Sequence, residues 1–262
     1  MTRREPTLDI DASLGRDWHG GDPFKTAIFN AFSMTFPTGE RFFIDAVRAF
    51  EDDITDPLLR EHMKCFIGQE AQHRREHQHY NQTLCQARGY DLAYMELKQR
   101  KRIEWMKANV SRYQWLASTV ALEHITALMA HGILTNPAWL EGAEPDMAEL
   151  WRWHAFEETE HKAVTFDVYR AANGWDKTRQ QILNVATYNL LKDVLGHTHY
   201  MLKVAGLAHR PGVWWNGMRF LFGRQGIWRP LVGDWKKFKD PNFHPWDHDN
   251  LDLIHDWANA ST

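Results

Sequence analysis

Two Glu-x-x-His elements carry the chemistry of this sequence: Glu70-Ala71-Gln72-His73 and Glu158-Thr159-Glu160-His161. On a helix, residues three apart share a face, so each element aims a carboxylate and an imidazole at one point. A single such pair arises often by chance. Two, each inside a long helical stretch flanked by core-type residues, are a signal for metal binding, since carboxylate oxygen and imidazole nitrogen together suit first-row divalent ions. Where a four-helix bundle holds two iron or manganese ions, two helices supply Glu-x-x-His and the other two supply a single Glu each.

The single glutamates follow from levels along the chain. Thr55-Asp56-Pro57 is a stop and restart signal, with Asp56 as cap and Pro57 in the first turn of the next helix. In an antiparallel hairpin about that turn, positions equally far from it lie side by side. Glu70 and His73 are 14 and 17 residues beyond Asp56, and Glu40 is 16 before it. Glu51 is only 5 before it, which leaves it roughly 13–18 Å from that level at about 1.5 Å per residue. In a second hairpin, Glu123 lies 13 residues before Asn136 and Glu158 lies 13 after Pro145. Glu123 also falls in an apolar run, where a carboxylate without a partner is costly to bury.

His154 precedes Glu158 by four residues and His161 by seven, so one stripe of helix offers a third nitrogen. The candidate metal ligands are therefore Glu40, Glu70, His73, Glu123, His154, Glu158 and His161. Glu70 or Glu158, together with Glu123, are the bridging candidates. Four carboxylates balance two divalent cations while the imidazoles stay neutral. Gln69, His77 and Glu157 are candidates for hydrogen bonding to the ligands from behind.

The elements that must position these residues read as helices throughout, with no convincing alternating strand. A polar arm, residues 1–22, precedes a short helix over 23–34. Pro37-Thr38-Gly39 opens another, in which Phe43, Val47 and Phe50 recur at helical spacing. Further helices are expected over 58–86, 91–108, 111–134, 146–172 and 176–206. Arg88-Gly89 and Asn173-Gly174 end two of them, and Arg210-Pro211-Gly212 follows the last. The expected fold is all-α: a four-helix bundle core within a helical domain over 23–207, and an aromatic, basic region over 208–262 packed on that domain.

Composition bounds the rest. The chain has 262 residues, 15 His, 13 Trp and a formal net charge of -3. That balance gives no reason to expect nucleic acid as a partner. No run approaches the roughly 18 apolar residues of a membrane span, and the polar N-terminus lacks the apolar stretch of a secretory signal. Cys65 and Cys85 are the only cysteines, which fits a reducing cytoplasm without a disulfide framework. The stretch 213–237 interleaves Trp and Phe with Arg and Lys. Sealing the bundle or making a homodimer contact is preferred for it over a peripheral membrane contact. The histidines of 244–249 read as a loop.

The order Glu40, Glu70-x-x-His73, Glu123, Glu158-x-x-His161 resembles the ferritin-like di-iron carboxylate superfamily, which includes the ribonucleotide reductase small subunit and bacterial multicomponent monooxygenases. The stripe through His154 is similar to the p-aminobenzoate N-oxygenase group, whose site carries a third histidine. The wording FPTGERFF, GQEAQHRREHQHYN, ALEHITA and WHAFEETEHKAVTFDVY resembles a bacterial family labelled predicted metal-dependent hydrolases. Many di-iron oxygenases place Asp before the Glu of each Glu-x-x-His; here Gln69 and Glu157 stand there. The resemblance implies a ferritin-like core, two iron ions (Mn/Fe, Mn or Zn being alternatives), dioxygen and a small organic molecule as substrates, and an external electron donor. The expected function is a di-iron oxygenase. A metal-dependent hydrolase, in which the ions activate water, is the second reading. A metal-storage or metal-sensing protein is the third.

Overall fold

A computed structural model describes Arg4, residues 8–250 and residues 252–253. Among these it is all-helical: α1 Asp11–Leu14, α2 Pro23–Arg48, α3 Pro57–Arg88, α4 Leu92–Asn109, α5 Arg112–Thr135, α6 Pro145–His161, α7 Val164–Ala171, α8 Asp176–Val204, α9 Pro211–Phe222 and α10 Trp228–Lys237. Local chemistry sets most of the boundaries. Asp22 accepts from the Phe24 and Lys25 amides at 2.8 and 3.0 Å ahead of α2, and Asp56 caps α3 through the Leu58 amide. Ser111 and Gln114 form a reciprocal capping box on α5. Gly89 ends α3 at φ 70, and Asn173 follows α7 at φ 57; both lie in the left-handed region that a helix terminus favours.

Two boundaries correct the sequence reading. The separate helices expected on either side of Pro37 are one continuous helix, α2, with Pro37 inside it. A proline there leaves the Ser33 carbonyl without its helical donor. The Asn81 side-chain amide supplies that donor, at 2.9 Å from the Ser33 oxygen, so a tertiary bond removes the reason to break. Conversely, the single helix expected over 146–172 is interrupted at Lys162 and Ala163. There the buried Lys162 ammonium turns to the His248 carbonyl at 2.7 Å and Asn250 Oδ1 at 2.6 Å.

Helix α2 packs against α3, α5 against α6 and α7, and α8 lies across both α2 and α5. Helices α2, α3 and α5 each run through two apolar cores with a polar layer between them, and α6 lies in the first core with α7 continuing into the second. One core holds Phe29, Met34, Tyr80, Leu84, Leu128, Ile133, Leu150 and Trp153. The other holds Phe43, Val47, Phe66, Leu116, Val120, Val164 and Phe166. Glu40, Glu70 through His77, Glu123, and His154 through His161 fall at the crossing between them. The aromatic tail packs on the bundle: Phe24 meets Trp214 edge to face, Trp235 Nε1 donates to Thr187 at 2.9 Å, and buried Arg179 donates to the Phe238 and Asp240 carbonyls. The His244-Pro245 segment holds only a single 3-10 turn, Pro245–Asp247. No described helix is long and apolar enough to cross a membrane.

Gly132 tests this packing. A Cβ built there would lie 2.0 Å from Trp139 Cη2, and Trp139 is wholly buried with its carbonyl accepting from His19 Nε2 at 2.8 Å. Gly132→Ala gains helix propensity but overpacks a ring that has nowhere to move, at a cost of about 1–3 kcal/mol. The expected result is a melting temperature several degrees lower, at about 2–4 °C per kcal/mol for a chain of this size. An unchanged thermal melt would show that the ring can shift.

Candidate metal centre

All seven candidate ligands arrive at one place from four helical segments. Glu40 comes from α2, Glu70 and His73 from α3, Glu123 from α5, and His154, Glu158 and His161 from α6. All are buried; the most exposed, His154 and Glu158, reach 4%. Glu51, which the level count set aside, is exposed in the turn after α2.

Two overlapping clusters bring ligand-type atoms within 4.8 Å of one another: Glu70, His73, Glu158 and His161, and Glu40, His73 and His154. Glu158 is the hub. Its Oε1 lies 3.1 Å from His154 Nε2, 3.5 Å from His73 Nδ1 and 3.8 Å from His161 Nε2. His161 Nε2 is also 3.3 Å from Glu70 Oε1, and its Nδ1 is 3.1 Å from Glu123 Oε2.

These separations and the polar bookkeeping both fit metal ions. With bonds of about 2.1 Å, donors on one ion sit about 3 Å apart when adjacent and about 4 Å apart when opposite. Both oxygens of Glu40, both of Glu70, Glu123 Oε1 and Glu158 Oε2 accept no hydrogen bond among the described residues. So many buried, bare carboxylate oxygens in one layer would be prohibitive in a protein meant to stay metal-free. Metal cations held between them would satisfy these oxygens together.

The electrostatics of the metal-free layer show the same demand. Burial, reinforced by Glu123 and Glu158, holds the Glu70 carboxyl well above the usual carboxylate range. Burial does the same to Glu40 and raises Glu123 to about 7. Burial would raise Glu158 too, but the surrounding His161, His154 and His73 hold it well below the ordinary value. Burial would lower His73, yet Glu157 and Glu158 push it up to about 10. Protons occupy the place of cations here.

The residues behind the ligands divide. Glu157 Oε2 lies 3.0 Å from His73 Nε2 and orients that ring, and Glu157 Oε1 accepts from the Arg4 amide at 3.0 Å. Gln69 Nε2 donates to Glu160 Oε2 at 2.9 Å, and Glu160 pairs with the Arg4 guanidinium. His77 Nε2 lies 2.6 Å from His154 Nδ1, and burial keeps its ring neutral. Sequence reasoning missed Ser33, Asn81 and the Arg4–Glu160 pair. A signal for the first two existed: a proline within a helix orphans a carbonyl one turn earlier, and Asn81 stands one turn beyond His77.

On the side of Glu40, His154 and Glu158, a cavity of about 400 Å³ opens between α2, α4, α5 and α8. Phe32, Phe36, Phe43, Leu122, Ile125 and Met129 are among its walls. No curated protein and no solved structure matches the chain significantly. The model of one protein family matches residues 2–249, spanning all four segments that build this buried Glu and His cluster. The chain belongs to that family, described as predicted metal-dependent hydrolase.

Proposed function

We propose that Glu40, Glu70, His73, Glu123, His154, Glu158 and His161 hold two iron ions, and that the centre uses dioxygen to oxidise a small apolar substrate. The observation that carries this reading is the cavity whose floor is Glu40, His154 and Glu158 and whose walls include six large apolar side chains. Glu40, His73 and His154 form the set for one ion. Glu123 and His161 face each other for the second. Glu70 and Glu158 lie between the two sets. A redox-active ion pair held by this set would supply electrons to dioxygen, with an external reductant restoring them.

The chain's own contribution is to bind, orient and exclude water. Phe36 packs on His154 and edge-on to His77, with ring centroids 4.7 Å apart in both cases. Trp153 meets His73 edge to face at 5.0 Å, and Phe66 does so for His161 at 5.0 Å. These rings lock the ligand imidazoles and keep the ligand layer dry. The apolar walls offer van der Waals contact to an uncharged substrate, while Gln99, Arg102 and Asn189 also line the cavity and supply polar groups that could orient it.

The family description keeps hydrolysis as the competing reading, and one experiment separates them. Anaerobic protein loaded with ferrous iron is expected to consume dioxygen within seconds of mixing, faster when an apolar aromatic or aliphatic compound fills the cavity. Zinc-loaded protein is expected to cleave neither carboxylic esters nor phosphoesters. Slow iron oxidation combined with zinc-supported, oxygen-independent cleavage would replace the oxidative reading with the hydrolytic one.

A further inference from the structure

The ring of His154 has two nitrogens, and only the one without a proton can coordinate a metal. Its Nε2 points at Glu158 Oε1, and its Nδ1 lies 2.6 Å from His77 Nε2. Which nitrogen carries the proton is decided by a chain of buried hydrogen bonds that ends at Pro37. We propose that Pro37, Asn81, Ser33 and His77 together fix the tautomer of His154, keeping its Nε2 bare for a metal ion.

Donor and acceptor counting runs in one direction. Pro37 has no N–H, so the Ser33 carbonyl must take a donor from outside the helix. Asn81 Nδ2 provides it at 2.9 Å, which settles the orientation of that amide and leaves Oδ1 as an acceptor. Ser33 Oγ lies 2.7 Å from Asn81 Oδ1 and spends its only proton there. The same hydroxyl oxygen, 2.9 Å from His77 Nδ1, can then only accept, so His77 carries its proton on Nδ1. His77 Nε2 is left as an acceptor, and His154 Nδ1–H donates to it. His154 Nε2 emerges bare, ready for a metal ion; until a cation enters, Glu158 Oε1 at 3.1 Å is an acceptor that draws a proton to the same nitrogen and opposes the chain.

The reverse chain fails at one atom. With a proton on His154 Nε2, His77 would donate from Nε2 and Ser33 would donate to His77 Nδ1. Asn81 Oδ1 would then face a hydroxyl with no proton to give. Ser33, His77 and Asn81 are all buried, at 0–1% exposure, so water cannot repair that mismatch. Asn81, Ser33 and His77 are thus positioning residues that act through His154. Metals coordinated by histidine commonly depend on the hydrogen bond at the opposite ring nitrogen; here the determinant lies three residues deeper, in a proline on another helix.

The inference rests on the metal reading above, and its test keeps the two apart. Long-range proton–nitrogen correlation spectra of histidine-labelled protein read each ring's tautomer directly, with zinc as a diamagnetic probe and again without metal. Zinc-loaded wild-type protein is expected to show the proton on Nδ1 of both His77 and His154. In the metal-free protein Glu158 Oε1 competes for a proton on His154 Nε2, and wild type is expected to keep a larger Nδ1-protonated share of His154 than the variants. Asn81→Leu is expected to move the His154 proton to Nε2 in the metal-free protein and to weaken zinc binding at one site by about 10–100-fold. His77→Leu should weaken it similarly, whereas His77→Gln, whose amide oxygen still accepts from His154, should stay within a few-fold of wild type. A merely structural role would lower the melting temperature of these variants and leave the tautomer and zinc affinity alone. If Asn81→Leu does not fold, Ser33→Ala carries the same expectation. A proton on Nε2 of His77 in the zinc-loaded wild type, or an unchanged His154 tautomer ratio in the metal-free variants, overturns the inference. Zinc titration that finds no tight site rejects the metal reading instead, and the metal-free spectra still decide the tautomer.

Discussion

Glu158→Ala is expected to empty the centre of metal, not merely to weaken it. Its Oε1 stands within 3.8 Å of three imidazoles, those of His154, His73 and His161. These rings belong to both proposed ion sets, so the single carboxylate is shared. Removing it would delete the negative charge that the two proposed ion sets share. The loss of affinity should exceed the roughly 10–100-fold typical of losing a hydrogen-bond partner behind a ligand. Elemental analysis after reconstitution with ferrous iron should give close to two ions per chain for wild type and close to none for the variant. Glu51→Ala, at an exposed turn position, should match wild type. Two ions retained by Glu158→Ala would mean that the two sets are not joined through this residue.

The second large effect links metal, protons and stability. In the metal-free protein, burial holds Glu40 and Glu70 well above the carboxylate range. The neighbouring carboxylates overcome burial to raise His73 to about 10 and to raise His161. A group whose folded pKa is raised contributes stability that is fully present below its unfolded value and is lost as pH rises toward the folded value. Above about pH 7 these groups therefore act in one direction. The lowered groups His77, His154 and Glu158 make their changes at lower pH. The melting temperature of the metal-free protein should fall as pH rises from about 7 to 9. Each group contributes up to about 1.4 kcal/mol per pH unit, or roughly 4 °C for a chain of this size.

Cations replace those protons in the loaded protein, so its melting temperature should stay nearly flat and the gap between the two forms should widen with pH. Loading should also release protons, making apparent affinity fall steeply from about pH 8 to 6. Paired thermal melts with and without chelator across that range check both statements. Parallel curves for the two forms would mean that metal and protons do not compete for the same atoms.

Glu40 and Glu123 illustrate how far a sequence can locate a buried site. Helix rise is constant, so residues counted from a turn give depth along the bundle, and Glu51 falls out of the layer by arithmetic alone. Periodicity placed Glu70 with His73, and His154 with Glu158 and His161, because a helix face is a local property. Caps such as Asp56 and Ser111 are equally local, which is why most helix boundaries were legible.

Failures arose where a distant group changed a local outcome. Pro37 reads as a break until Asn81, on another helix, satisfies the Ser33 carbonyl. Nothing around residue 162 announces the interruption, which coincides with Lys162 reaching His248 and Asn250 from a distant segment. Spacing alone also gave no account of the cavity, whose lining comes from five helices, or of the nitrogen that His154 presents. The sequence determined which residues reach the polar layer and at what depth, since helical rise and periodicity act within one segment. Only the tertiary structure decided how those residues are oriented and what meets them, since burial, hydrogen-bond partners and cavity shape exist only once separate helices pack together.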